Sequence, residues 1–354
     1  MTSIEIARHR LHNQLISQSL LQTPAEVLTW MGAMQAQDYP GVKWSIGLRL
    51  AGATDADIER AIVERSIVRT WPLRGTLHVV AASDVRWMLA LTAPRTLARF
   101  APRHRQLELD EATFAESNVV LERVLRDGKQ LTREEIAAAL QESGIATDGQ
   151  RLAYMLLRAA LDGLICFGAR RGKQFTYTLL EEWIPPAQPK VHDEALADLA
   201  RRYFTSRGPA TVRDFAWWSG LTLSDARAGL EAVKQELVEE KVDGTTYWLP
   251  DRVPSGRDSQ PSVYLLPGFD EYMLGYTDRS AVLDERYARL VPKNGMFSPT
   301  VVVNGYVEGT WQRTFKKGGV AIDAVPFTEW SADEQRGLAA AASRFAAYLE
   351  MPVV

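Results

Sequence analysis

Residues 131–179 and 211–249 run through one order of elements twice: helix, tight turn, helix, β-hairpin. In the later copy, Thr211 and Asp214 supply an N-cap and an acidic first turn for a helix from Val212 to Trp218, with Gly220 as its C-cap. Thr222 or Ser224 caps a second helix through Ala226, Leu230 and Val233. The runs Glu236–Val242 and Thr245–Leu249 then meet at Asp243-Gly244, the dipeptide of a type I′ hairpin. In the earlier copy, Thr132 and Glu135 make a capping box that opens a helix to about Gln141. A second helix runs from Gln150 to Leu161, with Leu152, Met155, Leu156 and Ala159 on one face. Strand-like Leu164–Phe167 and Phe175–Leu179 flank a basic turn from Gly168 to Lys173. The copies lie about 70–80 residues apart and follow the plan of the winged helix-turn-helix.

A third unit is read at the N-terminus from helices Ile4–Ser17, Pro24–Met34 and Thr54–Glu64 and a hairpin Ile67–Trp71 with Gly75–Val80. Residues 83–127 add helices, one of them capped by Ser83-Asp84 and running to Leu91. Two Pro-rich stretches, Trp183–Pro189 and Pro250–Pro267 (through Pro254-Ser255-Gly256), cannot continue a helix and mark seams. Beyond them, Val263–Leu266, Pro299–Asn304 and Tyr306–Phe315 read as strands, Asn304-Gly305 as another type I′ turn, and Ala332–Leu349 as a closing helix. The expected fold is mainly α with small β-hairpins, an α+β chain of three tandem winged-helix motifs and a β-rich C-terminal region. The expected boundaries are 1–117 for an N-terminal winged-helix unit with added helices, 118–190 for the second unit, 191–255 for the third, and 256–354 for the C-terminal region with its final helix.

Composition narrows the function classes. Charged residues make up 24% and hydrophobic residues 46%, which excludes a low-complexity or disordered chain. A single cysteine, Cys166, allows no intrachain disulfide and suits a reducing cytoplasm; its apolar strand makes it a core residue. No apolar run approaches the ~20 residues of a membrane span, and the N-terminus lacks a signal-peptide core, so no membrane partner is expected. Lys plus Arg number 41 against 44 Asp plus Glu, a net charge of -3, which excludes an indiscriminate polycation. DNA remains open if the positive charge lines one surface. There is no Walker A sequence, no Gly-x-Gly-x-x-Gly after a strand and no His-Glu-x-x-His. His9 and His12 lie three apart on a helix with no Cys or carboxylate cluster beside them. Neither a cofactor nor a metal is expected.

One segment stands apart, Thr23 to Gly41. Thr23, Pro24 and Glu26 start a helix, and Val27, Trp30, Met31 and Met34 form its buried stripe. Pro40-Gly41 stops whatever precedes it, which places Gln35, Gln37 and Asp38 in the last turn or just beyond. Residues two apart on a regular helix point about 200° from one another, but at an unwinding end they can converge. These residues alone leave open a plain solvated helix end.

Gln35-Ala-Gln37-Asp38, followed by Arg69-Thr-Trp-Pro-Leu-Arg-Gly-Thr-Leu-His78, resembles the winged-helix DNA glycosylase family of the alkylpurine, azinomycin-resistance type. The runs Leu265–Arg279 and Val303–Trp311 are similar to that family too, so the resemblance spans nearly the whole chain. It implies a monofunctional glycosylase that hydrolyses the N-glycosidic bond of alkylated purines, N7-alkylguanine above all, and in some members unhooks interstrand crosslinks. It also implies that Gln35 and Gln37 are the catalytic pair, in the branch with two glutamines. The partner would be double-stranded DNA carrying alkylated purines, and the location cytoplasmic and nucleoid-associated.

Chemistry agrees with that assignment. An amide cannot deprotonate water, but two amides can hold one against a sugar. Positioning suffices when the bond is already weak, as in N7-alkylguanine, whose cationic base departs neutral without a general acid. Asp38 is either an electrostatic partner for the cationic sugar or an ordinary cap.

For DNA contacts the candidates are Arg69, Arg74 and His78 on the first wing, Arg170, Arg171 and Lys173 on the second, and Arg313 after a C-terminal strand. Residues 93–105 add Arg95, Arg99, Arg103 and Arg105 with no acid. Phe269-Asp-Glu-Tyr272 would repel phosphate and reads as structural, with an arginine as partner. The alternatives are a non-catalytic winged-helix transcriptional regulator and a protein–protein scaffold. A regulator usually dimerises; this chain has no heptads and its repeats are internal, so a monomer is expected.

Overall fold

The computed structural model describes residues 1–251, 261–293 and 296–354. Several of its helices begin where short polar side chains dictate. Thr2, Thr23, Thr54, Thr132, Thr211 and Ser331 each cap a helix reciprocally with an acid three residues on.

The third unit holds helices His192–Arg207, Val212–Ser219 and Leu223–Val233, then a wing of Leu237–Val242 paired antiparallel with Thr245–Pro250. Asp243 at φ 49° and Gly244 at φ 78° make the left-handed turn that the sequence implied. Helix His192–Arg207, unassigned from the sequence, packs on Leu223–Val233 through buried Leu196, Leu199 and Ala200. The second unit contains Arg133–Glu142, Arg151–Leu161 and a wing of Ile165–Phe167 with Thr176–Leu179, to which Leu131–Thr132 adds a third strand. Cys166 is fully buried there, and burial pushes its thiol pKa up.

The first unit departs most from expectation. Its wing is Ile67–Leu73 with Thr76–Ala81, each end within two residues of the hairpin read from the sequence, but a helix unforeseen in the sequence occupies Tyr39–Leu48. Pro40 sits in that helix's first turn, where its missing N–H costs nothing, so it starts an element instead of only stopping one. The helix expected to end at Leu91 continues as Val85–Gln106, through Pro94 and Pro102.

The C-terminal sheet runs in the order Gly319–Pro326, Tyr306–Lys316, Thr300–Val303, Val263–Leu266, all antiparallel, with helix Ala332–Tyr348 against it. Strand Gly319–Pro326 was not foreseen. Pro254-Ser255-Gly256 and the expected boundary at 255–256 lie outside the described residues.

Three cores hold the elements together, and they are shared across the motif boundaries. One joins Leu28, Trp44 and Val79 of the first unit to Leu265, Tyr272, Trp311 and Phe345 of the C-terminal region. Another joins Val68 and Met88 to Leu199, Phe215 and Trp218 of the third unit. The last centres on Phe114, Ile136 and Met155 of the second unit and its preceding helix, with Trp71 and Leu77 of the first wing packed against it. Among the described residues, no helix is long and apolar enough to cross a membrane.

Candidate active site

Gly32 ends helix Pro24–Met31 in a left-handed turn at φ 76°, so the chain leaves it before Met34. Met34–Gln35 is a short strand, paired antiparallel with the wing strand Thr76–Ala81: Met34 lies opposite Val79 and Gln35 opposite His78. The Ala36 N–H extends the ladder with a 2.7 Å bond to the Leu77 carbonyl. This corrects the unwinding helix end expected from the sequence. In an extended chain residues two apart share a face, so Gln35 and Gln37 meet while Ala36 is buried. Gln35 Nε2 donates to Gln37 Oε1 at 2.5 Å. Gln35 is buried and Gln37 exposed. Asp38 occupies the N-cap position of Tyr39–Leu48 but makes no side-chain capping bond; its carboxylate folds against Gly41.

Buried groups hold this strand from beneath. Glu271 Oε1 accepts the Gln35 backbone N–H at 2.9 Å. The other Glu271 oxygen accepts from Arg207 Nη2 at 2.7 Å and from Trp218 Nε1 at 2.9 Å. Burial opposes ionisation of Glu271, but the Arg207 guanidinium and the donors around it prevail, holding its carboxyl below the usual range. Arg69 donates Nε and Nη2 to the Ala36 carbonyl at 3.3 and 3.0 Å. Its guanidinium lies 4.5 and 4.3 Å from the ring centres of Phe167 and Phe175, which tie it to the second wing. Burial lowers the Arg69 pKa to about 10, so it stays charged near neutrality.

His78 is fully buried, with Nδ1 2.9 Å from the Thr76 carbonyl. Burial first, and the Arg74 charge second, push its pKa down to about 4, so the ring is neutral at pH 7. Arg69 and His78 therefore lie inside the protein, not on the surface where their candidacy for DNA contact would place them. Their bonds to Ala36 and Thr76 fasten the wing and the strand beside it.

The remaining cations divide. Arg170 is half-buried, 3.6 Å from Glu59. Arg171 is exposed, but its charge is matched by Glu135 at 2.7 Å. Lys173 is exposed at a cavity of about 380 Å3 lined also by Trp71, Arg133, Phe167 and Tyr177. Arg313 is half-buried on the C-terminal sheet, 6.0 Å from the Phe345 ring centre.

Arg74, by contrast, faces the glutamines. Its Nη2 stands 3.5 Å from Gln35 Oε1, and its Nη1 donates to the carbonyls of Trp217 and Trp218 at 3.2 and 2.6 Å. Together with Arg95, Arg99 and Trp217 it lines a cavity of about 450 Å3 that, among the described residues, no carboxylate lines.

Asp270 and Glu271 both pair with arginines, as the sequence implied: Asp270 with Arg49 at 2.9 Å, Glu271 with Arg207 at 2.7 Å. Sequence reasoning missed that Glu271 reaches Gln35 and that Trp217 stands beside the site. The one available signal for the first was an acidic pair set in an apolar run, which needs partners when buried.

Comparison with known proteins gives the family. Residues 28–348 match the family described as "DNA glycosylase AlkZ-like". The chain is 26% identical over 327 residues to an interstrand DNA cross-link repair glycosylase of Streptomyces sahachiroi, covering 86% of this chain and 85% of the relative. The solved structure of Streptomyces sahachiroi DNA glycosylase AlkZ shares the fold, with a TM-score of 0.82 at 23% identity, over 100% of this chain and 99% of that one. The choice between enzyme and regulator thus falls to the enzyme. The chain belongs to the AlkZ-like DNA glycosylases, hydrolases of N-glycosyl bonds.

Proposed function

We propose that this chain removes cationic N7-alkylpurines from double-stranded DNA, and that the interstrand crosslinks of that chemistry are among its substrates, as the name of the Streptomyces sahachiroi relative supports. Gln35 and Gln37 position the attacking water. The observation that carries this reading is the pair of amides on one face of one strand, 2.5 Å apart, one buried and one exposed. An amide oxygen accepts from water without taking its proton. The glutamines accordingly orient the nucleophile toward C1′, while the bond between C1′ and the purine nitrogen breaks. Its electron pair neutralises the cationic base, the C1′–O bond forms, and the water's proton passes to solvent. Asp38 adds negative charge beside the amides, which favours the positive charge developing on the sugar. The phosphates on either side fit the outer part of the cavity, where Arg95 and Arg99 stand.

The test is release of 7-methylguanine from methylated duplex DNA in single turnover. Gln37→Ala should lower the rate by about a hundredfold or more, the scale of a lost positioning interaction. Equal rates in the variant and the wild type would end this assignment.

A further inference from the structure

We propose that Arg74 is a positioning residue: it fixes which way round the two glutamine amides point, and helix Val212–Ser219 of the third unit holds it in place. The inference rests on the catalytic reading of Gln35 and Gln37.

The backbone gives the first reason. Arg74 stands at φ 56° in the turn between the wing strands, followed by Gly75 at φ 70°. A left-handed conformation costs an L-residue with a Cβ roughly 1–2 kcal/mol, and such turns ordinarily carry Asn, Asp or Gly. Arginine is therefore unfavourable for the turn itself, and its use lies in what the side chain reaches.

Its surroundings give the second. Arg74 Nη1 donates to the carbonyls of Trp217 and Trp218, at the end of helix Val212–Ser219 where carbonyls lack helical partners. The guanidinium lies 4.8 Å from the Trp217 ring centre. Gly220 makes this approach feasible, because a Cβ there would stand 2.8 Å from Arg74 Cγ. Among the described residues, no carboxylate forms an ion pair with Arg74. Its charge is held by carbonyls and an aromatic face, and it stays directed at the site.

Polarity gives the third. A guanidinium has donors and no acceptor, so the Gln35 atom that turns toward Arg74 Nη2 is the oxygen. Gln35 Nε2 is then aimed at Gln37, which must meet it with Oε1, the 2.5 Å bond observed. At 3.5 Å the Arg74 contact is long, and its effect is orientational: it favours the oxygen over the NH2 group. With the arginine gone, each amide can turn by half a rotation, and acceptor and donor exchange places before the water.

Single-turnover release of 7-methylguanine at saturating enzyme, with duplex affinity measured across salt concentrations, separates this role from others. Arg74→Gly suits the left-handed turn and should leave the unfolding midpoint unchanged or raised. It should lower the saturated rate by roughly tenfold to a hundredfold while duplex affinity stays within about twofold. Arg74→Lys, also a donor with no acceptor, should recover most of the rate. An unchanged rate with weaker affinity and a salt slope reduced by about 1 would mean an ordinary phosphate contact and overturn the inference. A rate loss shared equally by Lys and Gly, with a lower unfolding midpoint, would mean a structural role and overturn it too. Should Gln37→Ala lose activity while Arg74→Gly keeps it, this inference fails and the catalytic reading stands. Full activity in both rejects the catalytic reading and the inference with it.

Discussion

At the scale of the residue, His78 links the site to stability. The Thr76 carbonyl only accepts, so Nδ1 carries the proton and Nε2 is the bare nitrogen. The folded-state pKa of about 4 lies below the ordinary 6.5. Between those values the unfolded chain binds a proton that the folded chain refuses, so stability falls as pH drops through that window. At 1.36 kcal/mol per unit, full protonation below pH 4 corresponds to about 3 kcal/mol. Denaturant unfolding at intervals from pH 7.5 to 4.5 should therefore show a shallower decline for His78→Gln than for wild type. Parallel curves would mean that His78 does not titrate as described.

At the scale of the element, the decisive piece is the two-residue strand Met34–Gln35. It exists because Gly32 releases the chain from its helix and because the wing strand offers Val79 and His78 as partners. The two glycines around it set different costs. Gly32→Ala meets nothing nearer than Trp218 Cη2 at 3.6 Å, so only the left-handed backbone at φ 76° is penalised, by about 1–2 kcal/mol. Gly75→Ala adds to a φ of 70° a Cβ driven into the Phe100 ring and should cost about 1–3 kcal/mol more. Denaturant midpoints of the two variants compare these directly, and equal losses would refute the steric account.

At the scale of the whole molecule, adjacent carboxylates fasten three parts together at the site. Asp270 pairs with Arg49, both fully buried, joining the C-terminal region to the first unit. Glu271 pairs with Arg207 of helix His192–Arg207 and with the Gln35 backbone. Removing one member of a buried pair strands the other charge, so Asp270→Ala should destabilise by about 3–5 kcal/mol. The double change Arg49→Met with Asp270→Leu should recover most of that loss in thermal or denaturant unfolding. No recovery would show that geometry, more than charge, is what the pair supplies. The same scale resolves the net charge of -3: three arginines line one cavity while acids stand elsewhere.

What the sequence by itself determined was local. Capping boxes, the Asp243-Gly244 turn and the Gly220 C-cap are set by residues within a few positions of one another, and they mark two winged-helix copies before any contact is known. Gln35 and Gln37 were singled out as a pair through the family resemblance, and Asp270 and Glu271 were legible as acids in need of arginines. Tertiary structure decided the rest. A strand as short as Met34–Gln35 takes its identity from a wing far along the chain, so its residues read as a helix end until His78 lies opposite. Pro40 begins a helix only because Tyr39–Leu48 has a core to enter, between Val42 and Trp44 on one side and the C-terminal Leu265, Phe345 and Tyr348 on the other. Arg69 and His78 have the composition of phosphate ligands, yet packing buries them under the strand. Local propensity ends at the reach of a turn, whereas burial and pairing depend on segments the chain brings back from a distance; the site is made of the second kind.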